Sequence, residues 1–141
     1  MAPVLTHMAF HVQDVEGMID FYQDFCQMKV VHDRRPSKGG RVVWIAEESR
    51  ASELIFVLIS GGSRSPVDEG NYSHLGFALE SREAVDAVAI RGKKAGILAW
   101  EPCEEPYPVG YYCALRDPEG NFVEFSFGQP LGPGAPPGGK S

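Results

Sequence analysis

Residues 4–12 alternate in character. Met8, Phe10 and Val12 are apolar, while His7, Ala9 and His11 fall between them. A period of two predicts a strand with one face on a core and the other of different chemistry. After Asp14 the period changes. Val15, Met18, Ile19, Tyr22, Phe25 and Cys26 recur at helical spacing, so an amphipathic helix is predicted over 15–26 with Asp14 as its N-cap. Strands follow at about 28–33, 41–47 and 53–60, interrupted by turn-rich and polar stretches at 36–40 and 47–52. The same order then recurs. A strand at 72–79 leads to a helix over 82–95, capped by Ser81 and stopped by Gly96. Further strands lie at 97–101, 110–116 and 121–128, the last two joined through the turn Asp117-Pro118-Glu119-Gly120.

The recurrence is also visible residue by residue. Leu5-Thr-His-Met-Ala-Phe-His-Val12 and Tyr72-Ser-His-Leu-Gly-Phe-Ala-Leu79 place a His, a small residue and a Phe alike, with His7 and His74 separated by 67 residues. A repeat of about half the chain decides the architecture before any single element does. The fold expected is α+β: two β-α-β-β-β modules at about 4–60 and 72–128, joined by a Gly/Ser/Pro-rich linker at 61–71. Together they form one domain over 1–128, a curved, cup-shaped mixed sheet with helices on its outer face. Residues 129–141, rich in Gly and Pro, are expected to be a flexible tail.

The same offset carries Glu124 onto Val57. His7, His74, Glu124 and Val57 thus hold four repeat-related positions on the face away from the helices, among the small residues Ala9, Gly76 and Ala78. Taken singly, each is an ordinary core or surface residue. Together, two imidazoles and a carboxylate suit a divalent first-row ion with open positions, and Fe(II), Mn(II), Zn and Ni all accept such donors.

Charge and composition narrow the partners. A net charge of −6 argues against nucleic acid or an anionic membrane surface. No apolar run is long enough to span a bilayer. No secretory pattern is visible in residues 1–12, and Cys26, Cys103 and Cys113 lack metal-type spacing, so a cytoplasmic protein is expected, with these cysteines as mostly buried small hydrophobes.

Four segments carry a resemblance to a known family: Leu5-Thr-His-Met-Ala-Phe-His-Val-Gln-Asp14, Ile19-Asp-Phe-Tyr22, Tyr72-Ser-His-Leu-Gly-Phe77 and Arg116-Asp-Pro-Glu-Gly-Asn-Phe-Val-Glu124. With the repeat they resemble the vicinal oxygen chelate superfamily, which includes glyoxalase I, extradiol ring-cleaving dioxygenases and fosfomycin- and bleomycin-resistance proteins. The resemblance implies that His7, His74 and Glu124 are metal ligands and that Phe21-Tyr22 is core. Val57 stands where glyoxalase I places a fourth ligand, which argues against lactoylglutathione lyase and methylmalonyl-CoA epimerase activity. Dioxygenases and fosfomycin-resistance transferases use two His and one Glu, as retained here, whereas bleomycin-resistance proteins keep the cup without the ligands.

The favoured expectation is an extradiol-dioxygenase-like oxygenase using Fe(II) or Mn(II), with Zn or Ni as other ions. The alternatives are a glyoxalase- or fosfomycin-resistance-like lyase or transferase, and a non-enzymatic small-molecule binder. His11 and Tyr112 are candidates for acid–base work. Trp44, Val57 and Tyr111 are candidates for the substrate wall. His32 and Glu53 are expected at the surface. A homodimer is expected, with the cup completed within one chain or between two.

Overall fold

The computed structural model describes residues 1–135. The chain divides into two compact units, Met1–Ser65 and Pro66–Ser141, the division falling within 61–71. Among the described residues each unit holds one α-helix and a four-stranded mixed sheet, the first with a further 3-10 turn at Glu48–Arg50, so the α+β class and the paired β-α-β-β-β modules are as expected.

In the first unit, β1 (His7–Val12) leads into α1 (Val15–Cys26), then β2 (Lys29–Arg34), β3 (Val42–Ala46) and β4 (Ile55–Ser60). The strand order is β1-β4-β3-β2. The Asp14 carboxylate accepts from the Gly17 N–H at 2.8 Å, satisfying one of the orphan donors of the first turn. The helical period aims Val15, Met18, Ile19, Phe21 and Tyr22 at the sheet, where Phe56, Leu58, Val43 and Ile45 meet them, all buried. Tyr22 is 1% exposed and stands edge-on to Phe56, so Phe21-Tyr22 is core, as predicted. Met8 keeps 38% of its surface exposed, because this core covers the Val12 end of β1 rather than its start.

The second unit repeats the plan: β5 (His74–Ala78), α2 (Arg82–Lys94), β6 (Leu98–Glu105), β7 (Gly110–Arg116) and β8 (Phe122–Phe127), in the order β5-β8-β7-β6. The Ser81 hydroxyl accepts from the Ala84 N–H at 3.1 Å, and α2 buries Val85, Val88 and Ala89 against its sheet. Gly96, just past the helix end, takes φ +75°, which only glycine adopts without a Cβ penalty. Asp117 organises the turn into β8, accepting from the N–H groups of Glu119 and Asn121 at 3.0 Å each.

The repeat is a repeat of register. β1 and β4 are parallel with His7 opposite Ile55, and β5 and β8 are parallel with His74 opposite Phe122, the same 67-residue offset on both strands. One transverse row of the first sheet reads Ala9, Val57, Trp44, His32. Its counterpart in the second sheet reads Gly76, Glu124, Ala114, Trp100.

Three findings differ from the sequence expectation. β6 runs to Glu105 rather than ending near 101, because its ladder skips from Trp100 to Cys103 in a bulge that spares Pro102 from donating. Of the three cysteines only Cys113 is buried, while Cys103 is exposed and Cys26 is half-buried. The described start of the tail lies close against the second unit. A Cβ on Gly132 would come within 2.6 Å of the Ala78 Cβ, and one on Gly134 within 2.5 Å of the Leu79 carbonyl oxygen. The rest of the tail lies outside the described residues.

Candidate functional site

The second unit brings a histidine and a buried carboxylate onto one sheet face. Parity along β5 and β8 puts His74, Gly76, Glu124 and Ser126 on the sheet face away from α2, where they line a cavity of about 690 Å³. His74 Nδ1 lies 2.6 Å from the Tyr72 carbonyl oxygen. A carbonyl only accepts, so Nδ1 carries the proton and Nε2 presents its lone pair. That lone pair lies 3.7 Å from Glu124 Oε1. A histidine tied by one nitrogen to a carbonyl and free at the other is oriented as metal-binding histidines are.

Glu124 is 8% exposed. Burial pushes its carboxyl pKa up, and the His74 ring, when it carries a second proton, and the Gln129 amide, 3.4 Å from Oε2, pull it part of the way back. Its cross-strand neighbours, Gly76 and Ala114, are small, which leaves room beside the carboxylate. A carboxylate kept from water beside an imidazole lone pair is a donor pair suited to a divalent ion. Among the described residues, neither unit by itself gathers three His, Cys, Asp or Glu side chains in metal-binding arrangement.

Trp100 packs around this pair. Its ring centroid lies 5.6 Å from that of His74, 5.0 Å from Phe122 and 6.0 Å from Tyr72. Tyr112 lines the same cavity and donates to Glu105 at 2.8 Å. The Cys103 thiol and the Glu105 carboxylate hold its phenol pKa well above the ordinary value, so it stays protonated.

In the first unit His7, Ala9 and Val57 share a face and line a cavity of about 510 Å³ with Trp44, Ile55 and Ile59. The Thr6 hydroxyl lies 3.1 Å from His7 Nδ1. The wall is apolar except for Thr6, His7 and Arg34. Val57, buried between Ala9 and Trp44, occupies the counterpart of the Glu124 position.

Two expected site residues fall elsewhere. Tyr111 does not line the cavity with Tyr112, since neighbours on a strand face opposite ways. It turns toward α2, bonding Asp86 at 2.5 Å beneath the Arg82 guanidinium, 4.0 Å from its ring centroid. His11 shares the face of His7 and the row of Ile59, yet it does not line the cavity itself and lies at its margin beside Gly61. His32 is exposed, as expected, yet it also packs on Trp44 at 5.4 Å. Glu53 is exposed at the start of the β4 hairpin arm.

The sequence reading missed Trp100, Arg34, Gln129 and Glu105. Nothing in the sequence singled out Trp100, since the 67-residue offset lands on Asp33; only the ladder sets it where the first module has His32, so the two modules carry their indole on different strands of the same row.

The model of the glyoxalase/bleomycin resistance protein/dioxygenase superfamily matches residues 4–125. An uncharacterised protein of Pseudomonas aeruginosa is 56% identical over 135 residues, covering 96% of each chain. Solved structures share the fold. The fosfomycin resistance protein FosX from Listeria monocytogenes superposes with a TM-score of 0.71 at 17% identity, covering 89% of this chain and 94% of its own. A mutant of FosX complexed with Mn(II) and 1S,2S-dihydroxypropylphosphonic acid gives a TM-score of 0.69 at 21% identity, with 92% and 95% covered. A glyoxylase/bleomycin resistance protein/dioxygenase domain from Frankia sp. gives 0.69 at 23% identity, with 92% and 100% covered.

Proposed function

Because the chain belongs to the glyoxalase/bleomycin resistance protein/dioxygenase superfamily, the vicinal oxygen chelate proteins, we propose that it is a divalent-metal-dependent enzyme acting on a small oxygen-bearing substrate. The observation that carries this reading is the His74–Glu124 pair. His74 Nδ1 is committed to the Tyr72 carbonyl, and Nε2 lies 3.7 Å from a buried carboxylate. His7, the register counterpart of His74, is the third protein ligand in this proposal. A divalent ion held by two imidazoles and one carboxylate supplies Lewis-acid polarisation of substrate oxygens and, as Fe(II) or Mn(II), access to dioxygen chemistry.

The chain's own groups do the rest. The Tyr72 carbonyl fixes the His74 tautomer, and Gln129 holds one Glu124 oxygen. Tyr112, kept protonated, serves as a hydrogen-bond or proton donor rather than a base. His11 is the candidate base at the margin of the first unit's cavity. Trp44 and Val57 form substrate wall.

Within this class we favour ring-cleaving oxygenation of a catechol-like substrate. Its support is the apolar wall of Trp44, Ile55, Val57 and Ile59, which suits a planar ring better than a small, highly charged molecule. The second reading is a fosfomycin-type transferase or lyase, favoured by the likeness to FosX, whose mutant was crystallised with Mn(II) and a dihydroxypropylphosphonic acid. We further propose a homodimer in the reducing cytoplasm; among the described residues Cys26, Cys103 and Cys113 form no disulfide, and no helix is long and apolar enough to cross a membrane.

Metal analysis of protein purified without chelator tests the core reading. Wild type is expected to carry stoichiometric metal, or to take it up from Fe(II), Mn(II), Zn or Ni, and His74→Ala and Glu124→Gln to lose it. Wild type that binds none of the four overturns it. Anaerobic Fe(II) reconstitution followed by air and a catechol panel then separates the two chemistries: yellow ring-cleavage products support the oxygenase, and consumption of fosfomycin with Mn(II) supports the second reading.

A further inference from the structure

We infer that the first unit's cavity takes the apolar body of a carboxylic acid, with the Arg34 guanidinium gripping the carboxylate. This deepens the metal reading by naming a substrate class, but it stands on Arg34 and not on the ion.

The argument begins with charge. The cavity of about 510 Å³ is walled mainly by Val42, Trp44, Ile55, Val57 and Ile59, and no carboxylate lines it. Its one permanent cation is Arg34, the last residue of β2. Two neighbouring cations of this unit are neutralised within it. Arg41 is held by Glu16 and, at 2.8 Å, by Asp33, and Arg50 pairs with Glu47 at 3.0 Å. Arg34 makes no hydrogen bond or ion pair to any described residue, although Asp33 is its immediate neighbour. Strand parity explains this: Asp33 and Arg34 project to opposite sides of β2, and Asp33 is spent on Arg41.

Register places the guanidinium within reach of the wall. Arg34 lies opposite Val42, Val42 opposite Ile59 and Ile59 opposite His11, so the four side chains form one row across the sheet face, with Arg34 at its β2 end. The next row along is His32, Trp44, Val57 and Ala9. A molecule with its apolar part on Trp44 and Val57 therefore has a planar fork of donors at one end. That geometry matches a carboxylate in two parallel hydrogen bonds.

The repeat sharpens the point. In the second unit the row equivalent to Arg34, Val42 and Ile59 reads Cys103, Tyr112 and Ser126, and the position equivalent to Val57 is Glu124. The first module thus lacks the carboxylate corner and carries a cation where the second has none. The second unit's cavity carries carboxylates, whereas the first unit's is apolar with a single positive end, which a neutral ring alone would not require.

The test uses metal-free, full-length protein, so that it reads this site and not the ion. Binding of 1-naphthylacetate and of its neutral isostere 1-naphthylacetamide is measured by calorimetry at low salt. The acid is expected to bind about tenfold or more tightly than the amide, as a charge-assisted pair implies, with the preference shrinking as salt rises. Arg34→Gln should erase the preference, leaving acid and amide alike. Arg35→Gln, one residue on and outside the cavity lining, should leave it intact. Arg34 is exposed, so its loss should not disturb folding, which circular dichroism checks. Equal binding of acid and amide by wild type, no binding of either, or a preference that survives Arg34→Gln overturns the assignment. Each of these results leaves the metal content of wild type, and hence the metal reading, unaffected.

Discussion

Val57 and Glu124 hold equivalent positions in the two sheets and differ most in what surrounds them. Glu124 has Gly76 and Ala114 beside it, whereas Val57 has Ala9 and the indole of Trp44. Val57→Glu would restore a fourth potential ligand. It is expected to tighten metal binding, measured by competition with a chromophoric chelator. In the metal-free protein the added carboxylate meets apolar walls, so urea unfolding should show a loss of about 1–3 kcal/mol. If the variant binds metal no better than wild type with its fold unchanged, position 57 is not a corner of the site. Cysteine chemistry divides in the same residue-by-residue way. Burial pushes the Cys113 thiol up to about 12, while Cys103 is exposed. With Ellman's reagent at about pH 8, Cys103 should react in the native protein and Cys113 only after unfolding. The sign for stability follows. The folded-state value lies above the ordinary 9.0, so Cys113 leaves stability intact below that pH and lowers it as pH rises toward about 12. Replacing Cys113 with Ala should flatten the alkaline limb of the stability profile in that window.

Elements owe their ends to single side chains. Asp14 and Ser81 each accept a hydrogen bond from a first-turn N–H of their helix, and both helices bury their apolar stripe on a sheet. Asp14→Ala and Ser81→Ala are each expected to cost about 1 kcal/mol in denaturant unfolding. A loss near zero for either would mean that tertiary packing alone holds that helix end. Strand β6 shows a different control. Pro102 cannot donate, and the ladder passes it by stepping from Trp100 to Cys103. The bulge lets the strand continue far enough to bring Glu105 beside the Tyr112 hydroxyl.

For the whole molecule, the proposed dimer and the origin of each site can be tested together. A His7→Ala chain and a His74→Ala chain are unfolded, mixed and refolded. If sites are built between chains, some mixed dimers carry one intact site, and metal content or activity partly returns. If each site is built within a chain, none returns. Sedimentation as a monomer at micromolar concentration would remove the dimer altogether.

Much of the architecture was legible from periodicity and the repeat. Alternation in residues 4–12, the helical stripe after Asp14 and the matching octapeptides are local patterns, and a 67-residue offset needs only two segments to be compared. The paired modules, both caps, the core role of Tyr22 and the common face of His74 and Glu124 follow from them. What the chain alone did not settle depends on cross-strand register and bulges, which are set by partners far away in sequence. Tyr111 and Tyr112 read alike until strand parity separates them, one bonded to Asp86 on α2 and the other lining the cavity. Trp100 and Arg34 carry no local signal of function; only the ladder puts one beside His74 and the other at the end of an apolar wall. Gln129 reached Glu124 because residues following β8 pack against β5, a contact that composition alone, rich in Gly and Pro, could not foretell.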